Sequence, residues 1–100
     1  PHGESEFAAY GIAAAASAAV RPPRVAAAPV AFECTLHSIL PIGEGALAAN
    51  VVFGRIQRAQ VRDDVPNAAG QPDPGRLDLI GRLGGNAYTR TTDRFELERP

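Results

Sequence analysis

The feature that most constrains the fold is a pair of strand-like stretches separated by a short turn signal. From 30 to 40, apolar residues alternate with polar or smaller ones, and 50–62 is rich in branched and aromatic residues. Between them lie Pro41 and two glycines, and the whole pattern predicts a hairpin whose first strand has one buried face. Gly54, inside the second stretch, predicts a bulge or bend. The residues predicted to face the core are Val30, Phe32, Cys34, Leu36 and Leu40.

A helix is predicted to follow a polar loop at 63–70. Asp73 and Pro74 have the pattern of an N-cap residue followed by proline at the first helical position. The Gly84-Gly85 pair supplies a natural left-handed end to this helix. Its predicted apolar stripe consists of Leu77, Ile80 and Leu83, joined by Leu79.

The two ends of the chain carry weaker signals. Residues 1–29 have an Ala-rich middle, which predicts at most a short helix because it offers no large apolar face for packing. The Pro22-Pro23 pair favours an extended course. We therefore interpret 1–29 as a connector, and 30–100 as the main domain. The tail at 87–97 is expected to add one or two short strands.

Composition limits the classes of function. One hundred residues form one small domain with a thin core, so an incomplete sheet would depend on a partner. The opening residues resemble the middle of a longer protein, and we expect the chain to be a fragment. A net charge of -1 argues against nucleic-acid binding, and no apolar run approaches the length of a membrane span. The single cysteine, Cys34, fits a reducing cytoplasm and is expected to be a small buried residue.

The most unusual local string is GRLGGNAYTR, at 81–90. Arg82 or Arg90 can pair with an anionic ligand, and Tyr88 can stack on a planar group while offering a hydroxyl. The Gly84-Gly85 pair would let such a group approach the backbone closely. The residues alone leave a second interpretation open, in which the string is a helix C-cap, Tyr88 enters the core and the arginines are solvated.

Other kinds of site have little support in the sequence. The glycines do not form a dinucleotide fingerprint, which needs a preceding strand, and no Walker A sequence is present. No metal site is expected, because His2 and His37 lie far apart and Cys34 and His37 fall on opposite strand faces. No nucleophile elbow is present, and Asp63-Asp64 is interpreted as a solvated pair at a loop boundary.

Several strings, taken in order, resemble the flavin reductase-like proteins of the FMN-binding split-barrel family. They are SEFAAYGI, RPPRVAAAPVAFECTL, VVFGRIQRAQVRDD, DPGRLDLIGRLGGNAYTR and FELERP, and together they cover nearly the whole chain. The resemblance implies a mainly β fold: the C-terminal part of an antiparallel split β-barrel, with one short helix. The N-terminal half, which carries the family's main flavin-binding segments, has no counterpart here.

The resemblance also implies a function for the parent domain. Such proteins usually form homodimers, bind FMN without a covalent link and pass a hydride from NADH or NADPH to flavin. Some supply reduced flavin to a monooxygenase component, and a cytoplasmic location is expected. The residues that the resemblance places near flavin or nicotinamide are Arg82, Gly84, Gly85 and Tyr88, and those lining the substrate side are Glu6 and Phe7.

One departure from the family pattern keeps other functions open. Many relatives have histidine where this chain has Gln60, which forms hydrogen bonds but does not titrate near neutral pH. The alternatives are therefore a flavin- or haem-binding split-barrel module without turnover, or a truncated chain that is inactive by itself.

Overall fold

The computed structural model describes residues 3–100 and is mainly β. Its strands pair two by two, giving three two-stranded sheets: β1 with β2, β3 with β4 and β5 with β6. Two compact units are separated between Gln60 and Val61. The elements, in order, are α1 (Glu6–Ala9), β1 (Ala14–Ala15), β2 (Arg24–Val25), β3 (Val30–Ile42), a 3-10 turn (Gly45–Leu47), β4 (Ala49–Val61), α2 (Pro74–Leu77), β5 (Ile80–Gly84) and β6 (Ala87–Arg90).

The long hairpin predicted from the sequence is present, and it dominates the first unit. β3 and β4 have thirteen residues each, and the short connection between them allows only an antiparallel hairpin. β3 continues through Pro41 to Ile42, so the turn begins two residues later than the sequence suggested. A side-chain hydrogen bond from Gln57 Nε2 to Thr35 Oγ1 links the two strands at 3.1 Å.

The predicted burial of β3 is wrong for this chain. Phe32 and Leu36, expected in the core, are 62% and 65% exposed, and Cys34 is exposed as well. A two-stranded hairpin has no opposing layer of its own, so its apolar face stays open within the described residues. At the neighbouring position, Glu33 lies on the face that was expected to be polar, yet it is only 2% exposed.

Gly54 allows a close contact inside the first unit. A Cβ atom at this position would lie 3.1 Å from Cys34 Cβ and 3.5 Å from Cys34 Sγ. That spacing is tighter than ordinary van der Waals contact, so any side chain at 54 would displace its neighbour. Gly54 therefore permits a close approach to Cys34, and the predicted bulge or bend stays a prediction.

The Ala-rich segment before the hairpin, for which at most a short helix was predicted, forms none. The helix α1 lies earlier, and its first turn is closed by Ala9 N–H donating to Ser5 O at 2.9 Å. Ala14 pairs with Val25, and Ala15 with Arg24, in a minimal antiparallel sheet. The described residues thus form two four-residue α-helices, where one was predicted.

The second unit begins with a loop whose backbone groups form several hydrogen bonds. Val65 is fully buried and is the only apolar core residue among the described residues. Its carbonyl accepts from Asp73 N–H at 3.1 Å. Asn67 Oδ1 accepts from the backbone N–H groups of Ala69 and Gln71, at 2.9 and 3.1 Å. The polar loop predicted here is therefore an ordered turn.

The helix predicted from Asp73 starts as expected but ends early. Asp73 Oδ1 accepts from Gly75 N–H at 2.8 Å and Arg76 N–H at 3.2 Å, which is the capping predicted from its sequence. However, α2 stops at Leu77, and Ile80–Gly84 forms a strand. The interpretation of Gly84-Gly85 as a helix end is therefore wrong, because Gly84 ends β5 and Gly85 begins the hairpin turn.

Candidate functional site

The β5–β6 hairpin brings the predicted arginine and tyrosine together. Arg82 is the direct cross-strand partner of Tyr88, and Ile80 is the partner of Arg90. Because directly opposed residues of an antiparallel pair share a face, these four side chains lie on one side of the hairpin. We call them the arginine-tyrosine face. Tyr88 is 62% exposed, so the interpretation that places it in the core is wrong for this chain.

The turn of this hairpin explains its two glycines. Gly84 and Gly85 have φ angles of +110° and +52°, which L side chains rarely adopt. An added Cβ atom at either position would meet no other atom within 4 Å. The register also shifts between Arg82 and Gly84, which marks a bulge next to the turn. The glycines are thus required by the backbone, and their predicted contact with a planar ligand stays a prediction.

Asp78 fixes the open end of the hairpin. It follows α2 in the left-handed conformation, with φ of +43°, and is the only described non-glycine residue with a positive φ. Its Oδ2 accepts from Arg90 Nη1 at 2.8 Å. Beside it, Thr91 Oγ1 accepts from Leu79 N–H at 3.0 Å, and Thr91 N–H donates to Leu79 O at 3.1 Å. These contacts hold the start of β5 against the end of β6.

The two residues predicted for the substrate side of the pocket lie in α1. Glu6 is exposed and Phe7 is half-buried. Glu6 lines a small cavity of about 160 Å³ together with Glu4, Ala9 and Tyr10. Nothing in the first unit brings Glu6 or Phe7 to another of the predicted site residues, so their role stays a prediction.

Among the described residues of the first unit, the Glu33 side chain accepts the most hydrogen bonds. It accepts backbone N–H groups from Ala18, at 2.9 and 3.1 Å, and from Ala19 at 2.5 Å. Gln60 Nε2 donates to it at 2.8 Å. These hydrogen bonds, led by that of Gln60 and strengthened by the nearby charge of Arg58, lower the pKa of Glu33 to about 2. We call this arrangement the Glu33 clamp.

The Glu33 clamp ties the loop at 17–22 to β3. Ser17 Oγ donates to Pro22 O at 2.6 Å and closes the same loop. An open cavity of about 560 Å³ lies beside it, lined by 18–22 and by 34–36 of β3. Gln60, which the family pattern singled out, therefore has a structural partner in this chain, because its amide donates to a buried carboxylate.

Other candidate chemistry finds no support in the described part of the chain. Residues 3–100 contain no group of three or more histidine, cysteine, aspartate or glutamate side chains that could hold a metal ion. His2 lies outside the described residues. Asp63 and Asp64 are both exposed, and Arg62 Nε donates to Asp64 Oδ1 at 2.5 Å, which lowers the pKa of Asp64. Among the helices described, none is long and apolar enough to cross a membrane.

Two solved structures match this fold over nearly the whole chain. Nitrilotriacetate monooxygenase component B from Bacillus cereus superposes with a TM-score of 0.87 at 28% identity, covering 97% of this chain and 48% of that one. The 2-nitrobenzoate 2-nitroreductase of Pseudomonas fluorescens gives a TM-score of 0.77 at 35% identity, covering 96% and 48%. The chain therefore has the mainly β fold of one half of a split-barrel flavin reductase-like domain, as predicted.

Curated relatives show the same half-length coverage. An uncharacterized protein of Deinococcus radiodurans is 38% identical over 102 residues, spanning 99% of this chain and 43% of the relative. One from Halalkalibacterium halodurans is 33% identical over 102 residues, spanning 100% and 48%. This chain thus spans less than half the length of these relatives. No family model matches it.

Two contributors to these sites were missed at the sequence level. Asp78 was not singled out, and Glu33 was assigned only to the polar face of a strand. For the hairpin, a usable signal was present, because Gly85-Asn86 between two short apolar stretches is typical of a two-residue hairpin loop. For Glu33 there was no such signal, since its partners lie 14 to 27 positions away in sequence.

Proposed function

We propose that the chain is one half of a flavin reductase-like oxidoreductase that transfers a hydride from NADH or NADPH to FMN. The observation that carries this proposal is the match to a monooxygenase component and a nitroreductase, each covered over 48% of its length. In such chemistry the cofactors carry the electrons, while the protein binds and orients them. No acid or base from this chain is then required.

The arginine-tyrosine face fits an anionic planar ligand. Arg82 supplies a guanidinium and Tyr88 an aromatic ring, on one exposed face and in directly opposed positions. Gly84 and Gly85, next to this face, carry no side chains. We assign Arg82, Gly84, Gly85 and Tyr88 to binding FMN or the nicotinamide nucleotide, with Glu6 and Phe7 on the substrate side. FMN, when bound there, supplies the hydride acceptor.

The exposed apolar face of the β3–β4 hairpin supports the proposal that another half of the same domain packs against this chain. Phe32, Leu36, Val52 and Ile56 are all more than half exposed. Large contiguous apolar surfaces are unusual on an isolated domain and mark an interface. Since the relatives are about twice as long, we propose that the remaining half of the same domain covers this face.

The proposed class of oxidoreductase leads to further proposals about the oligomeric state, the partner and the location of the complete protein. We propose that the complete domain forms a homodimer and supplies reduced flavin to a monooxygenase component. A cytoplasmic location and the absence of nucleic-acid or membrane partners belong to the same proposal. The similar Bacillus cereus protein is itself a monooxygenase component, which supports the partner assignment.

The test is to co-express the chain with the segment of the Deinococcus radiodurans relative that it does not span. The purified complex is mixed anaerobically with FMN and NADH, and the yellow absorption of oxidised flavin is followed with time. Bleaching that requires both halves is expected. A complex that forms but leaves FMN oxidised with both NADH and NADPH would refute the hydride-transfer proposal.

A flavin-binding module without turnover is the second candidate. Its supporting observation is Gln60, which occupies the family's histidine position and whose amide donates to Glu33. This candidate predicts tight FMN binding by the complex with no oxidation of NADH or NADPH. Rapid oxidation of NADH or NADPH by the complex would exclude it.

A further inference from the structure

The backbone conformation at position 78 favours glycine over aspartate. Residues that end a helix with φ near +43° are usually glycine, because other side chains pay a conformational cost there. Aspartate and asparagine tolerate the conformation better than most, but glycine remains the least strained choice. A non-glycine residue in this region therefore points to a use for its side chain.

That side chain is used to pair with an arginine of the proposed binding face. Asp78 Oδ2 accepts from Arg90 Nη1 at 2.8 Å, and both side chains are partly exposed. Arg90 lies on the arginine-tyrosine face with Arg82 and Tyr88. Within residues 3–100, Arg82 has no ion-pair partner in the structure. The face thus holds two guanidinium groups, and one of them is already neutralised.

We propose that Asp78 sets the charge of the arginine-tyrosine face, so that it accepts one phosphate-type anionic group through Arg82 and disfavours a second one at Arg90. This inference rests on the proposed function only for the identity of the ligand. The electrostatic part depends on this chain alone. It makes Asp78 a specificity-determining residue, because its removal leaves two uncompensated cations on one face.

The electrostatic part is tested with inorganic pyrophosphate, titrated calorimetrically into the chain at low ionic strength. Arg82→Gln is expected to weaken binding, and Asp78→Asn to strengthen it by about two- to five-fold, the range for exposed charge pairs. Asparagine suits the backbone at 78, and Asp78→Gly provides a second variant with less strain. The added affinity is expected to disappear in Asp78→Asn combined with Arg90→Gln.

A matched control separates this local effect from net charge. Asp93→Asn removes the same charge from an exposed position in the same unit, and it is expected to change pyrophosphate affinity less than Asp78→Asn does. Equal gains in both variants would overturn the proposal. So would unchanged or weaker binding in both Asp78 variants, which is what a purely structural role predicts.

Natural ligands then distinguish whether the phosphate that Arg82 binds belongs to flavin or to the dinucleotide. If the phosphate belongs to flavin, Arg82→Gln weakens FMN and leaves riboflavin, which lacks the phosphate, unchanged. If it belongs to the dinucleotide, Arg82→Gln weakens NADH instead. Absence of flavin and dinucleotide binding by the complex of both halves, with the pyrophosphate pattern of the chain intact, would refute the proposed function while supporting the role of Asp78.

Discussion

The Glu33 clamp should make the first unit sensitive to acid in a narrow and assignable way. In the folded chain the pKa of Glu33 is about 2, against an ordinary value of 4.5. A lowered native pKa stabilises the fold at pH values above 4.5, and that stabilisation is lost as the pH falls through 4.5 towards about 2. In this window the native state keeps the carboxylate ionised, whereas the unfolded chain protonates it.

The size of the effect follows from the number of protons involved. Between pH 4.5 and about 2, Glu33 lets the unfolded state bind up to about one proton more than the native state. In urea unfolding across this range, the free energy of unfolding should therefore depend more steeply on pH for the wild type than for Glu33→Gln. The difference in slope corresponds to up to about one proton taken up on unfolding. At neutral pH the variant should also be less stable, because a neutral amide accepts the N–H groups of Ala18 and Ala19 more weakly.

A direct reading comes from the amide resonances of Ala18 and Ala19, whose N–H groups donate to the carboxylate. Their shifts should stay constant as the pH falls from neutral to about 3, one pH unit above the native pKa. Gln60→Ala removes the hydrogen bond that lowers this pKa most, so the midpoint should rise towards 4.5. A wild-type midpoint near 4.5, or one that Gln60→Ala leaves in place, would refute this account of the clamp.

Three further variants test the second unit by thermal unfolding. Val65→Ala should cost about 2 kcal/mol, from two buried carbons plus a partly collapsed cavity, and lower the Tm by roughly 10 °C; an equal loss in Val52→Ala, which is 63% exposed in the wild type, would contradict this. Asp73→Ala should cost about 1 kcal/mol through lost capping, and an unchanged Tm would show that the cap is dispensable. Gly85→Ala should cost roughly 1 kcal/mol from its positive φ alone, and a stabilised variant would rule out the turn geometry.

Local patterns predicted the elements that depend on local physics. The alternation through Phe32 and Leu36 correctly predicted β3, and the Asp73-Pro74 pair correctly predicted the start of α2. The side-chain cap on Gly75 and Arg76 is a contact over two and three residues, within reach of sequence reasoning. The half-barrel fold itself was predicted from the order of several strings, and the structural matches confirm it.

Errors arose where distant residues decide the outcome. Leu77, Ile80 and Leu83 have helical spacing, but the chain turns at Asp78 and pairs Ile80 with Arg90, so β-pairing overrides the periodicity. Burial of β3 was predicted as though an opposing layer were present. Glu33 is buried because the loop at Ala18 and Ala19 closes on its carboxylate, and no local pattern encodes that contact.

The most direct measurement of the central claim is the anaerobic rate of NADH- or NADPH-dependent FMN bleaching by the two-half complex, compared among three variants. The complex with wild-type chain should bleach FMN, and Arg82→Gln and Tyr88→Ala should each slow the reaction at limiting FMN by about ten-fold, the loss expected for a charge-assisted contact or a stacked ring. Leu97→Ala, at an 80% exposed position away from the hairpin strands, is the control and should retain the wild-type rate. Equal rates in all variants would contradict the assignment of the arginine-tyrosine face, and a wild-type complex that bleaches no FMN with either nucleotide would contradict the oxidoreductase itself.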